Sequence, residues 1–341
     1  MPAPRVLSFT FPLLAIGAIV AAACGGTGGD GGGDTASGRL KVVTTVSPIT
    51  SIAENIGGDR VDIEGIIPEG MNSHTYEPPP SVARTLARAD LIVMNGLSLE
   101  EPTLELAEAN KKEGAVILLL GDRAITREQW KFDFSFPESQ GKPNPHLWPD
   151  PMLALKYAEL IGEQLVSIDR DNADYYRENL AKFRQRIEDL DRRIREAIAT
   201  IPPQNRKLLT YHDSWAYFAE RYGMQVIGAV QPSDFSEPSA REVAALINQI
   251  REAGVPAVFG SEVFPSDVLE TIADEAGAQF IDRLRDDDLP GQPGDAEHSY
   301  LGLMAENMRI MVPALGGDAS AFDGFDSGPV FSGQSTAEYP Q

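Results

Sequence analysis

Short apolar runs alternate with longer amphipathic stretches along most of the chain. In the first half, predicted strands at 40–46, 61–67, 91–94 and 115–120 alternate with predicted helices at 47–58, 81–89 and 102–112. A second series has strands at 207–211, 225–230, 257–260 and 279–282, with helices at 215–222, 239–253, 266–276 and 300–311. Strands separated by helices indicate parallel sheets that are covered on both faces. The pattern predicts an α/β fold with two lobes, each a mainly parallel sheet flanked by helices.

One long amphipathic segment, residues 172–200, lies between the two series and contains no Gly or Pro. Its apolar positions recur every three or four residues, as on one face of a helix. They are Tyr176, Leu180, Phe183, Ile187, Leu190, Ile194 and Ile198. At about 1.5 Å per residue, such a helix would be roughly 43 Å long. We predict that one long rigid helix joins the lobes; the alternative is a helical hairpin packed on one lobe.

The N-terminal residues have the layout of a targeting segment. Arg5 is the only charged side chain before Cys24, and an apolar run ends in Ala21, Ala22 and Ala23. A positive start, an apolar middle and small residues before the cleavage site are typical of a secretory signal. The position of Cys24 resembles a bacterial lipobox, which predicts cleavage before Cys24 and its lipidation. An ordinary signal peptide or an uncleaved anchor with an incidental cysteine is the alternative.

These patterns divide the chain into six parts. They are a signal peptide at 1–23, the lipidated cysteine with a Gly-rich tether at 24–38, an N-terminal lobe at 39–165, the long helix region at 166–203, a C-terminal lobe at 204–313 and a tail at 314–341. The tether has eight Gly among residues 25–38, which predicts flexibility. The tail has four acidic residues, five Gly and no Lys or Arg, which predicts a disordered acidic tail.

Charge and cysteine content narrow the function classes. The formal net charge is −22, which argues against binding to nucleic acid. Cys24 is the only cysteine, so an intramolecular disulfide and a Cys-rich zinc site are both excluded.

Three of the four histidines follow predicted strands or stand in a stiff loop after them. His74 and His146 belong to the first lobe, and His212 directly follows the first strand of the second lobe. In an open α/β sheet, ligand groups cluster beyond the carboxyl ends of the strands. The placement predicts one metal site assembled from both lobes across a cleft. His298 lies among acidic and polar residues and is interpreted as a surface residue.

The fourth metal ligand should be an oxygen atom. Asp282 ends the last predicted strand, where the sheet argument places ligands, whereas the run Asp286, Asp287 and Asp288 is interpreted as a solvated loop. Imidazoles with one carboxylate suit Zn²⁺, with Mn²⁺ as the alternative. Sites for Ca²⁺ or Mg²⁺ made only of oxygen ligands do not use three histidines.

At these residues the chain resembles a family. The stretches HTYEPPPS, NPHLWPDP and YHDSWAYFAERYG look like the three His motifs of the cluster A-I metal-binding lipoproteins. So do QPSDFSEPSAREVAALINQIREAGVPAVFGSEVF, FIDRL and YLGLMAENM, so that the resemblance covers about 40–313 in order. These lipoproteins are the substrate-binding components of zinc and manganese ABC importers. The resemblance implies two α/β lobes joined by one long helix, and coordination of the metal by His74, His146, His212 and Asp282.

Three positions depart from the pattern of the family. Ser73 stands where many members carry an acidic residue, and Pro149 stands where the position is usually apolar and not proline. No His-rich loop lies between His74 and His146, although many zinc importers have one. His212 favours zinc, because manganese members tend to carry Glu there and imidazole is the softer ligand.

The leading hypothesis is a monomeric binding protein that captures a divalent metal, Zn²⁺ before Mn²⁺, and delivers it to an ABC permease and its ATPase. It would stand outside the cytoplasm, lipid-anchored to the outer face of the cell membrane, on the periplasmic side in a Gram-negative cell. A surface adhesin with a structural metal is one alternative. A metalloenzyme with Asp213 or Glu262 as general base is another, but the chain has no HExxH, GxSxG or paired-carboxylate motif. We therefore predict that the protein is not an enzyme.

Overall fold

Two parallel sheets form the framework of the residues that the computed structural model describes, 38–231, 236, 238–263 and 267–341. The strands are β1 Leu40–Thr44, β2 Val61–Gly65, β3 Leu91–Met94, β4 Val116–Leu119, β5 Lys207–Thr210, β6 Gln225–Ala229, β7 Ala257–Ser261, β8 Gln279–Leu284 and β9 Ala337–Glu338. The first sheet has the order β4-β3-β1-β2-β9 and the second the order β6-β5-β7-β8. The predicted signal segment, Cys24 and the tether up to residue 37 lie outside the described residues.

Ten helices flank the sheets in this part of the chain. They are α1 Ser47–Gly57, α2 Pro80–Arg88, α3 Glu101–Asn110, α4 Leu120–Ala124, α5 Pro151–Ile168, α6 Ala173–Thr200, α7 Ala216–Tyr222, α8 Ala240–Ala253, α9 Asp267–Ala276 and α10 Tyr300–Ala314. Helix α5 is not among the predicted elements, although Asp150 and Pro151 form a helix start. The side chain of Asp150 accepts a hydrogen bond from Met152 N at 2.8 Å, and proline is tolerated in the first turn.

All eight predicted strands are present. Every residue of β3 and β7 is buried, as expected for strands of parallel sheets that helices cover on both faces. Strand β8 extends two residues beyond its predicted end, because Leu284 pairs with Ser261 of β7. The carboxyl end of β8 therefore lies at Leu284 and not at Asp282.

The two sheets share one topology. The first strand of each series is central, with the second strand on one side and the third on the other. All strands of a sheet are parallel, so the loops that follow them leave from the same edge. Ligands bind at this edge in open α/β sheets.

The long helix is confirmed as α6, which has 28 residues and is therefore about 42 Å long. Six of its seven predicted apolar positions are fully buried, and Leu180 is partly buried. The helix packs on α1 and α5 of the first lobe and on α10 of the second. One apolar core continues through both lobes along this helix, while a second, smaller core lies between the second sheet and helices α8 and α9.

The C-terminal tail is not disordered, contrary to the prediction from its composition. Phe322, Phe325 and Phe331 are buried and fix it to the body of the protein. Farther along, β9 pairs with β2, so that Ala337 stands opposite Ile63 at the edge of the first sheet. These three buried phenylalanines hold the tail in place, and the Gly-rich, acidic composition of the tail did not predict such packing.

Within the described residues, no helix combines the length and the apolar character that crossing a membrane requires.

Candidate metal centre

Three imidazoles converge at the edge of the two sheets. The Nε2 atoms of His74, His146 and His212 lie 3.1 Å from one another in all three pairs. The corners of such a triangle are about 1.8 Å from its centre, so an ion with Zn–N bonds of about 2.0–2.1 Å would lie roughly 1 Å out of the plane. The triangle therefore fits three ligands of a tetrahedral site, with the fourth position to one side of it.

His74 lies in the loop between β2 and α2. Its backbone N–H donates to Asn72 Oδ1 at 2.9 Å, and its ring packs against Phe136 at 5.4 Å between centroids. It is the only partly exposed residue of the three, and a cavity of about 690 Å³ opens beside it, lined in part by Leu99 and Glu101. The side chain thus stands between the buried histidines and the surface.

His146 is fully buried and held by Asn144. Its Nδ1 lies 2.8 Å from Asn144 Oδ1, which can only accept, so Nδ1 carries the proton and Nε2 keeps a free lone pair. The orientation of the Asn144 amide is itself set, because its Nδ2 donates to Asp133 Oδ2 and to the carbonyl of Asp213, each at 2.6 Å.

His212 follows β5 and has an equivalent partner in Gln231, which lies just after β6. Its Nδ1 lies 2.8 Å from Gln231 Oε1, which again leaves Nε2 as the unprotonated nitrogen at the centre of the site. Sequence reasoning missed both amide partners. Asn144 lies two residues before a candidate ligand and was the one available signal.

Burial keeps the imidazoles of His74 and His146 neutral. It lowers the pKa of His74 and of His146 well below the usual value of 6.5, and the nearby imidazole of His212 lowers both further. Neutral imidazole is the form that binds a metal ion. The arrangement provides three nitrogen lone pairs directed at one point.

The two lobes are in contact beside the histidines. Phe134 N donates to Asp213 Oδ2 at 3.1 Å, and Ser135 Oγ donates to the carbonyl of Gln231 at 3.1 Å. On the other side, Ser73 Oγ donates to Asp287 Oδ2 at 2.6 Å, and Gly70 N donates to Asp288 Oδ2 at 2.8 Å. Residues from both lobes therefore enclose the site, as expected from the sequence.

The structure does not bring Asp282 to the three imidazoles. Asp282 lies within β8 beside Gly260 of β7 and is exposed. Among the described residues, the group of converging ligand atoms contains only the histidines, so no carboxylate, of β8 or of the turn after it, belongs to it. The run Asp286, Asp287 and Asp288, interpreted as a solvated loop, is instead buried in the turn that follows β8.

Asp286, in that turn, is a carboxyl group whose pKa responds to His212. Burial raises the pKa of Asp286, and the His212 imidazole and the Ser214 hydroxyl oppose the rise. Its carbonyl oxygen accepts a hydrogen bond from Trp148 Nε1 at 2.7 Å, which ties the turn to the His146 loop. The argument that selects Asp282 from the sequence selects this turn once the true end of β8 is known.

His298 is buried, not on the surface as the sequence suggested. Its Nδ1 donates to the carbonyl of Pro290 at 3.2 Å, and its ring packs against Tyr339 at 4.6 Å between centroids. The C-terminal tail supplies Tyr339, so the burial follows from the ordering of that tail. His298 lies outside the group of three histidines.

The comparison with known families settles the class of protein. The family described as zinc-uptake complex component A, periplasmic, matches residues 42–314. The chain belongs to this family. Its members are substrate-binding proteins of transport systems, so the chain is a metal-binding component of an importer and not an enzyme.

Individual relatives cover most of the chain. The manganese-binding lipoprotein MntA of Halalkalibacterium halodurans is 30% identical over 315 residues, which is 91% of this chain and 99% of MntA. The iron-binding protein YfeA of Yersinia pestis is 31% identical over 283 residues, which is 83% of this chain and 88% of YfeA.

Among solved structures, the periplasmic zinc binding protein TroA from Treponema pallidum superimposes with a TM-score of 0.73 at 26% identity, covering 81% of this chain and 99% of TroA. The three relatives are named for three different metals. Membership of the family therefore establishes the class of cargo, a divalent metal, and leaves its identity to the chemistry of the site.

Proposed function

We propose that this protein is an extracytoplasmic substrate-binding protein that captures Zn²⁺ between its lobes and delivers it to an ABC permease with its ATPase. His74, His146, His212 and Asp286 are the proposed ligands. The single observation that carries the proposal is the convergence of three imidazole Nε2 atoms at 3.1 Å.

The choice of zinc rests on the donor set. Three neutral nitrogen ligands and one carboxylate form a borderline-soft tetrahedral site, and that is a common set for Zn²⁺. Mn²⁺ prefers carboxylate and water oxygens, so replacing carboxylates by imidazoles shifts preference towards Zn²⁺. A manganese-specific protein of the same family is the alternative, and competition between Zn²⁺ and Mn²⁺ distinguishes the two.

Asp286 takes the place of Asp282 as the proposed fourth ligand. Its side chain is buried and His212 acts on its pKa, whereas Asp282 is exposed. The carboxylate would occupy the side of the histidine triangle on which the ion stands out of the plane. This completes four-coordination with ligands from both lobes.

Cys24 is the proposed lipid anchor, which would keep a monomeric protein at the outer face of the membrane. Support comes from the apolar run before Cys24 and from relatives named as lipoproteins. The Cys24→Ala variant should be released into the soluble fraction with unchanged metal affinity, since anchor and site are separate parts of the chain. Retention of this variant on membranes after fractionation would contradict the anchor.

The metal is tested by measuring the metal content of the purified protein and by competition calorimetry with Zn²⁺ and Mn²⁺. We expect bound Zn²⁺ and a large thermal stabilisation, about 2.7 kcal/mol at a free concentration 100 times Kd. His74→Ala, His146→Ala and His212→Ala should each remove most of this stabilisation. If all three variants bind Zn²⁺ like the unchanged protein, the site is wrong; if Mn²⁺ binds as tightly as Zn²⁺, the manganese alternative holds.

A further inference from the structure

The turn after β8 is built around a carboxylate from the neighbouring strand. The backbone N–H groups of Asp286, Asp287 and Asp288 all donate to Glu262 Oε1, at 2.9, 3.1 and 3.0 Å. Glu262 directly follows β7, which pairs with β8, so its side chain reaches across the end of the adjacent strand. Three successive N–H groups on one oxygen form an anion-binding concavity that fixes the conformation of the turn.

Stability alone is a poor explanation for Glu262. The turn already carries three aspartates, so a fourth carboxyl group adds repulsion between like charges. A buried ionic group is also a costly way to stabilise a fold. The carboxylate instead supplies one oxygen atom that accepts hydrogen bonds from three backbone N–H groups. Few other side chains can reproduce this arrangement.

The position of Asp286 depends directly on this arrangement. Its N–H donates to Glu262, and its carbonyl oxygen accepts from Trp148 Nε1 at 2.7 Å. The backbone of the residue is therefore held on both sides, by β7 of its own lobe and by the His146 loop of the other. With the backbone held, the side chain is the part of Asp286 that is left to act as the proposed ligand.

We infer that Glu262 is a positioning residue for metal capture: by binding the three backbone N–H groups, it holds the turn in the conformation that presents the Asp286 carboxylate to the ion. The inference rests on the proposed function, because it requires Asp286 to be a ligand. It assigns to Glu262 a role that needs an acceptor of the right length and not a charge.

Three substitutions separate acceptor geometry from charge. Glu262→Gln keeps an oxygen acceptor at the same distance and should keep Zn²⁺ affinity within about threefold of the unchanged protein. Glu262→Ala removes the acceptor, and Glu262→Asp keeps the charge but is one methylene too short. Both should weaken Zn²⁺ binding by about 10- to 100-fold, as the loss of outer-shell partners typically does. Glu275 is an exposed carboxylate of α9 in the same lobe, so Glu275→Ala is the matched control and should leave the Zn²⁺ affinity unchanged.

Affinities are measured by chelator competition with Zn²⁺, and the coordination is followed by the visible spectrum of bound Co²⁺. Asp286→Asn is measured in parallel, alone and combined with Glu262→Ala. If the two residues act through one contact, the double variant is no weaker than the weaker single variant. The Co²⁺ spectrum of Glu262→Ala should then match that of Asp286→Asn.

The outcomes distinguish the two proposals. If Asp286→Asn binds Zn²⁺ as tightly as the unchanged protein, the proposed ligand set fails. If Asp286→Asn weakens binding but Glu262→Ala does not, or their losses add in the double variant, the positioning role of Glu262 is overturned. The same follows if Glu262→Asp binds normally while Glu262→Gln does not, because charge and not geometry would then matter. Should Glu262→Ala fail to fold, the Gln and Asp variants decide the question.

Discussion

At the scale of single residues, two side-chain amides orient histidines of the site. Asn144 and Gln231 offer carbonyl oxygens to the Nδ1 atoms of His146 and His212, and this selects the tautomer with a free Nε2 lone pair. An amide oxygen orients an imidazole without adding charge near the ion. The two nitrogen donors thus keep their lone pairs for the ion, which is the basis of the proposed preference for zinc.

The proposed preference for zinc should respond to one substitution. His212→Glu replaces a borderline-soft nitrogen by a hard oxygen donor, so the ratio of Zn²⁺ to Mn²⁺ affinity should fall by about tenfold or more. Competition calorimetry measures the ratio directly. His298→Gln removes an imidazole outside the group of three and should leave the ratio unchanged. An unaltered ratio in His212→Glu would mean that His212 is not a ligand.

At the scale of elements, helix α5 begins at Asp150, a carboxyl group with a raised pKa. Burial raises the pKa of Asp150 from 3.8 to about 6, although the Arg221 guanidinium, 3.4 Å away, and the backbone N–H groups of α5 oppose the rise. The folded protein therefore holds a proton on Asp150 that the unfolded chain has lost between about pH 4 and pH 6. The contribution of Asp150 to stability is present below the unfolded pKa and is lost as the pH rises through the folded value.

Asp150→Asn should remove this pH dependence. Asparagine is neutral and is as good an N-cap as aspartate, so the bond from Met152 N is kept. Relative to the unchanged protein, the variant should become more stable by about 3 kcal/mol between pH 4 and pH 7, from a shift of roughly two pKa units. Melting curves of the metal-free proteins at both pH values measure the difference. A stability difference that is the same at both values would show that Asp150 is charged in the fold.

The long helix α6 is held by its buried face and not by its charged one. Phe183→Ala should cost about 3–5 kcal/mol, because it leaves a cavity where α6 packs on the first lobe. Gln185→Ala, two residues away on the exposed face, should change the free energy of unfolding by less than about 0.5 kcal/mol. Denaturant titration of both variants tests this, and equal losses would contradict the packing argument.

At the scale of the whole molecule, the C-terminal tail connects the edge of the first sheet to the loop that leads to His74. Tyr339 donates to Glu54 Oε2 at 2.8 Å, and the carbonyl of Pro340 accepts from Glu69 N at 3.0 Å. Glu69 in turn accepts from Leu289 N of the other lobe at 3.3 Å. The tail, which lies beyond the family match at 314, thus supports a contact between the lobes beside the metal centre.

Deleting residues 334–341 should therefore affect both stability and metal release. The deletion removes β9 and the contacts to Glu54 and Glu69, so the melting temperature should fall and Zn²⁺ release to a chelator should become several-fold faster. Stopped-flow release and thermal melting are the measurements. Arg186→Ala removes a tail contact to Asp326, far along the chain from the His74 loop, and serves as the control with an unchanged release rate. A shortened protein that melts earlier but releases Zn²⁺ at the original rate would limit the tail to a structural role.

The sequence by itself determined the α/β class, the strand order along the chain, the long helix and the three histidines. These depend on local periodicity and on where a strand ends, both of which are visible in a single chain. The apolar stripe of α6 and the apolar residues of β3 are examples, since in each the local sequence predicts which side chains are buried.

Only the tertiary structure decided the rest of the site. The pairing of Leu284 with Ser261 lengthened β8, and the proposed fourth ligand therefore changes from Asp282 to Asp286 in the turn that follows. Gln231 and Glu262 bind partners that follow neighbouring strands, and contacts of this kind cannot be predicted from the periodicity of the sequence. The order of the C-terminal tail was not predictable for the same reason. Its content of Gly and acidic residues does not show that Phe322 and Phe331 pack against distant parts of the chain. The tautomers, the ordered tail and the proposed fourth ligand all depend on contacts between residues far apart in the chain, and only the fold specifies those contacts.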